Sequence, residues 1–137
     1  MQEMPPPIVT QEVRIVDGQG HPRILLSASS GKPVFVMLRE DGQTATEIAL
    51  DDAGRPSVSL VNPDSKGPTA TLAIDDKGAH VKFDRPGGAS SYLFLNNAGG
   101  SGVVLIDPKG VRRLQATVNA DGTTQIERDG AEASPRK

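Results

Sequence analysis

Cysteine and tryptophan are missing from this chain, and aromatic side chains are scarce, with one tyrosine and three phenylalanines in 137 residues. Without cysteine there is no disulfide framework, no thiolate nucleophile and no Cys-based zinc site. Four aromatic rings, none of them indole, leave little of the stacking surface that sugar-binding and single-strand-binding proteins usually present. Long apolar runs are missing as well. No stretch approaches the roughly 20 apolar residues of a membrane-spanning helix, so no membrane insertion by this chain is expected. Charge of one sign is also lacking: 17 acidic and 15 basic residues are interspersed and leave a net charge of −2. A nucleic-acid binder would show a basic stripe, and nucleic acid is not an expected partner. Arg112-Arg113 and Arg136-Lys137 are isolated pairs that read as solvated surface charge. Finally, no stretch offers a helical 3.6-residue face, and 15 glycines and 11 prolines would interrupt one.

What is present is a short recurring pattern of alternating apolar residues, a polar turn with glycine, and further alternating apolar residues. Counting six and four residues back from each turn glycine finds Ile48 and Leu50 before Gly54, Val36 and Leu38 before Gly42, and Leu72 and Ile74 before Gly78. The same count finds Leu93 and Leu95 before Gly99, Val104 and Ile106 before Gly110, and Ala116 and Val118 before Gly122. A period of two places each pair on one side of a strand. Asp, Asn, Gly and Pro gather between the runs, as in Asp51-Asp52-Ala53-Gly54 and Asp107-Pro108-Lys109-Gly110, where hairpin turns need positive φ and side-chain caps.

These signals predict an all-β fold with almost no helix, made of antiparallel hairpin repeats stacked as a two-sheet, sandwich or prism-like architecture. Strands are expected at 12–17, 23–28, 33–39, 45–50, 57–61, 69–75, 80–84, 91–96, 102–106, 112–118 and 123–128. Residues 1–11 read as a Pro-rich leader, 12–130 as one β-hairpin repeat domain and 131–137 as a polar tail. Leu60, Leu72, Ile74 and Leu95 are expected to point inward, in a core of Val, Ile and Leu with Phe83 as its aromatic member.

The runs Ile15-Val-Asp-Gly-Gln-Gly-His-Pro-Arg-Ile-Leu-Leu26 and Ile48-Ala-Leu-Asp-Asp-Ala-Gly-Arg-Pro-Ser-Val-Ser-Leu60 carry a resemblance. They look like the L-x-D-x-x-G-x-x-R-x-x-L units of uncharacterised bacterial β-repeat proteins. The resemblance covers most of 12–118, with Arg missing from several units. It implies a repeat fold and brings no catalytic residues with it.

Candidate chemistry is thin. His21 lies in a Gly-His-Pro turn and His80 opens a strand, and neither stands in a recognisable nucleophile setting. Ser27, Ser29 and Ser30 lack a Gly-x-Ser-x-Gly elbow. Gly31-Lys32 is followed by Pro33 rather than the Ser or Thr of a phosphate loop, and Gly18-x-Gly20 lacks its third glycine. The glycine run 96–102 opens no helix. The paired turns Asp51-Asp52 and Asp75-Asp76 are the best metal candidates, for calcium, although no EF-hand or repeat-type calcium motif is spelled. No catalytic, cofactor or metal residue is therefore assigned, and no enzyme is expected.

One feature rises above this background. Phe35 and Met37 oppose Val36 and Leu38 on one strand, Tyr92 and Phe94 oppose Leu93 and Leu95 on another, and Val103 and Leu105 oppose Val104 and Ile106 on a third. Strands apolar on both faces need cover on both. Phe35, Met37, Tyr92, Phe94, Val103 and Leu105 are thus the expected interface residues. The expected role is a non-catalytic structural or protein-interaction module that forms a homo-oligomer. The alternative is a ligand-binding β-module for a glycan or surface polymer.

Overall fold

The computed structural model describes residues 1–129 and the backbone of 131–132. Most of the expected tail at 131–137 lies outside the described residues. Twelve strands follow one another: β1 (Glu12–Val16), β2 (Pro22–Ser27), β3 (Val34–Leu38), β4 (Thr44–Leu50), β5 (Pro56–Leu60), β6 (Thr69–Ile74), β7 (Gly78–Asp84), β8 (Ser90–Asn96), β9 (Ser101–Ile106), β10 (Arg112–Val118), β11 (Thr124–Arg128) and β12 (Ala131–Glu132). No helix occurs among the described residues. Strand order in the sheet equals chain order, and the pairings are antiparallel.

The expected second sheet is not found among the described residues. Contacts between elements join only strands that are consecutive in sequence. The described residues form one layer, and its buried apolar side chains are Val36, 7% exposed, and Val104, 1% exposed.

With so little burial, the turns carry the register. Seven of them share one closure, the one headed by Arg85 with a longer bond of 3.3 Å from Gly88. The residue at the head of the turn donates its N–H to the carbonyl four positions on, and the glycine three positions on donates back to that first residue. Asp17 and Gly20, Arg39 and Gly42, Asp51 and Gly54, Asn96 and Gly99, Asp107 and Gly110, and Asn119 and Gly122 all do this at 2.7–3.0 Å. These six glycines have φ between 77° and 94°, the left-handed region in which a side chain would be strained.

Head-of-turn carboxylates tighten this closure. Asp17 Oδ1 accepts from the N–H groups of Gln19 at 2.9 Å and His21 at 3.0 Å. Asp107 Oδ1 accepts from Lys109 at 2.9 Å and Val111 at 3.0 Å. Each second oxygen holds an arginine six residues on, Arg23 at 3.3 Å and Arg113 at 2.7 Å. The Asp, Gly and Arg of the repeat spelling are thus one hydrogen-bonded clip. Asp51 makes a shorter version with Arg55 at 2.9 Å.

Arg23 and Arg113 also stand at irregularities in the ladder. Register shifts fall between Ile15 and Val16, Met37 and Leu38, and Arg112 and Leu114, in the hairpins β1–β2, β3–β4 and β9–β10. In each, one residue of the second strand (Arg23, Ala45 or Arg113) is extra, as in a β-bulge. Hairpins β4–β5 and β10–β11 pair without a shift.

The clip makes stability acid-sensitive. A hydrogen bond from the Arg113 side chain, followed by the N–H of Val111, holds the Asp107 carboxyl below its ordinary range. For Asp51 the N–H of Arg55 leads, and for Asp75 the N–H of Lys77. A depressed folded-state pKa contributes stability that is complete above the unfolded value, near 3.9, and lost as pH falls through the folded value. Urea midpoints should be level from pH 7 to about pH 5 and fall below about pH 4. Asp107→Ala should start lower and decline less steeply in acid. A variant tracking the wild type at every pH would show that the clip contributes nothing.

Candidate functional site

Following the cross-strand pairs from β1 to β11 assigns each side chain to a face. Ile15 lies opposite Ile24, Ile24 opposite Met37, Phe35 opposite Ile48, Ile48 opposite Val58 and Val58 opposite Leu72. Leu72 continues to Val81, Leu93, Val103, Ala116 and Ile126. This row and its neighbours make one apolar face. From β1 to β10 its strand positions hold Val, Ile, Leu, Phe, Met, Ala, Pro, Ser or Thr and no charged side chain. It is uncovered: fifteen of its large apolar side chains are 38–57% exposed.

Leu60, Leu72, Ile74 and Leu95, expected to be inward, are among the fifteen and are each at least half exposed. They do share a face, but no part of the described chain lies over it. Phase was also misassigned at two turns. Val36 and Leu38 before Gly42, and Val104 and Ile106 before Gly110, lie on the opposite face, because a bulge follows each of those turns and shifts the alternation by one residue.

The six expected interface residues therefore separate. Phe35, Met37, Val103 and Leu105 belong to the apolar face. Tyr92 and Phe94 belong to the other, pairing with Val104 and Gly102. Counting back from the glycine conceals this split, because whether a residue is extra after the turn does not follow from the turn's own spelling.

The second face is mixed. Around Tyr92 and Phe94 it forms an open groove of about 600 Å³ lined in part by His80, Lys82, Arg112 and Gln115. Cross-strand rows explain the arrangement: Lys82, Tyr92, Val104 and Gln115 form one, and His80, Phe94, Gly102 and Thr117 the next. The rings of Tyr92 and Phe94 are tilted by 43° with centroids 6.0 Å apart. Arg112 donates to Tyr92 Oη at 3.2 Å and to Gln115 Oε1 at 2.5 Å. His80 Nδ1 lies 3.5 Å from Asp75 Oδ2, and Lys82 Nζ lies 3.4 Å from Asp84 Oδ2.

The other candidates are occupied locally. His21 Nδ1 stands 3.5 Å from the head-of-turn Asp17. Asp51 and Asp75 accept backbone N–H groups of their own turns, and Asp52 pairs with Lys32. Among the described residues no three His, Asp or Glu side chains gather as a metal-ligand set. No protein-family pattern and no curated protein matches this chain.

The groove floor depends on a missing side chain. A Cβ at Gly102 would stand 2.7 Å from the Ala116 carbonyl oxygen, 2.9 Å from Thr117 Cγ2 and 3.0 Å from Phe94 Cε1. Gly102→Ala should therefore lower stability in urea melts by about 1–3 kcal/mol, as overpacking does. Gly18→Ala, where a Cβ meets nothing within 4 Å, should be nearly neutral. Equal effects would mean that Phe94 does not sit against Gly102.

Proposed function

We propose that this chain is a non-catalytic structural module that self-associates through its apolar sheet face. One observation carries the reading, namely fifteen large apolar side chains left about half exposed on a single face that holds no charged side chain from β1 to β10. Isolated exposed hydrophobics are ordinary, but a contiguous face of this extent is the mark of an interaction surface.

Magnitudes support association. Full burial of a large apolar side chain is worth about 1.5–3 kcal/mol, so finishing the burial of the fifteen contributes roughly 10–20 kcal/mol per protomer. Association costs roughly 4–15 kcal/mol in lost translational and rotational freedom. Partial coverage already suffices.

A second copy is the occupant that fits. From β1 to β10 the face carries no charge pattern by which a different partner would be selected, and an aliphatic sheet face is complementary to itself. Two such faces packed about 10 Å apart would supply across the interface the second layer that one chain lacks.

Light scattering after gel filtration should give at least twice the 14.4 kDa chain mass. Leu72→Asp and Leu93→Asp should shift it to monomer, whereas Ser59→Lys, on the mixed face beside Thr71 and Glu47, should not. Wild-type protein that stays monomeric at high micromolar concentration would refute the reading.

A further inference from the structure

The mixed face presents a different opportunity, independent of self-association because it lies on the other side of the sheet. We infer that the groove around Tyr92 and Phe94 binds an acidic oligosaccharide, the aromatic pair receiving a sugar ring and Arg112 with Lys82 receiving its carboxylate. Of the four aromatic side chains in the protein, two stand next to each other here on one strand. The two rings offer apolar surface of the kind that sugar C–H groups pack against, and a groove of about 600 Å³ is in the range of small-ligand sites.

Charge selects the class of sugar. The groove lining holds Lys77, Lys82 and Arg112 against one carboxylate, Asp75, with Lys82 also 3.4 Å from Asp84 Oδ2 just outside it. Arg112 differs from the arginines that follow head-of-turn aspartates. Arg23, Arg55 and Arg113 are each spent on a head-of-turn aspartate, while Arg112 makes no ion pair among the described residues. Its two hydrogen bonds go to neutral acceptors, Tyr92 Oη and Gln115 Oε1. The guanidinium is thus held beside the aromatic wall with its charge uncompensated, an arrangement suited to a carboxylate. A long nucleic-acid strand does not fit as well, since no basic track continues along the sheet from this groove and the chain is net acidic.

Tyr92 is the single tyrosine and there is no tryptophan, so intrinsic fluorescence reports directly on the groove. The probes are trigalacturonate and its fully methyl-esterified form, which keeps the rings and removes the charge. Titration with trigalacturonate should change Tyr92 emission saturably, with the ester binding at least tenfold more weakly. Arg112→Gln and Phe94→Ala should each weaken trigalacturonate binding at least tenfold. Arg14→Gln, on the same face at the β1 edge, should leave it unchanged. Circular dichroism of each variant verifies the fold, and Lys82→Gln, expected to weaken binding as well, replaces any variant that fails it. No response at millimolar trigalacturonate, equal binding of acid and ester, or equal losses from Arg112→Gln and Arg14→Gln would each overturn the proposal. These outcomes are separable from the oligomeric state, which light scattering reads on the same samples.

Discussion

Closure of each hairpin turn is the constraint on which the rest of this molecule depends. In a two-layer domain, a strand that slips by one residue moves its apolar set away from the core, and burial corrects it. Among the described residues each strand contacts only its neighbours in sequence, and two apolar side chains are buried. Register is therefore set one hairpin at a time. The recurrent pair of backbone bonds, the left-handed glycine and the carboxylate that caps the turn supply the specification that a core would otherwise provide. Neighbouring turns on the same edge add cross-links: Arg23 Nε donates to the Leu38 carbonyl at 3.1 Å, and Asn97 Nδ2 to that of Asp76 at 3.0 Å. Successive hairpins are thereby held to each other as well as closed within themselves.

The arginine of the clip does two things with one residue. Its guanidinium returns to the head-of-turn aspartate, and its backbone is the extra residue of the bulge. Without that extra residue, the alternation entering β2 and β10 would place Ile24, Leu26, Leu114 and Ala116 on the wrong side. The bulge keeps the apolar face continuous. Ala45 shows that the conformational part survives without the ion pair, since hairpin β3–β4 has the shift although Arg39 rather than an acid heads its turn. There Arg39 reaches instead to the carbonyls of Thr44 and Val61.

Strand existence and order were legible in the sequence because alternation and turn glycines are local signals. The expected strand 33–39 is Val34–Leu38 and the expected 112–118 is Arg112–Val118; the β7 start moved from 80 to Gly78, where a two-residue turn replaced the usual three. Faces were less legible. Bulges are invisible to a count taken backward from glycine, so Val36, Leu38, Val104 and Ile106 were grouped with residues on the other side. The number of layers was not legible at all. Leu72 and Leu93 have the same spacing whether their cover comes from another part of the chain or from another molecule, and only contacts distinguish the cases. Of the groove, the sequence showed Tyr92 and Phe94 as unusual. Arg112 looked like ordinary surface charge, since its lack of an ion pair among the described residues goes with Arg113 taking the Asp107 clip one position later.

An aliphatic face binds without direction, so a self-association that uses it needs something else to choose the alignment. Hairpin ends provide a frame for that choice. One edge of the sheet carries Asp17 with Arg23 and Asp107 with Arg113, and the opposite edge carries Lys32 with Asp52 and Asp51 with Arg55. Two copies placed face to face in alignment leave these exposed pairs at the rim, in water. Sliding one sheet across the other by a strand length would drag clipped charges over Val, Leu and Ile and remove them from solvent without new partners, at a desolvation cost of several kcal/mol for each ion. The same turn residues that set register within a chain would then restrict register between chains, with the apolar face supplying the driving force and the charged ends excluding the misaligned states.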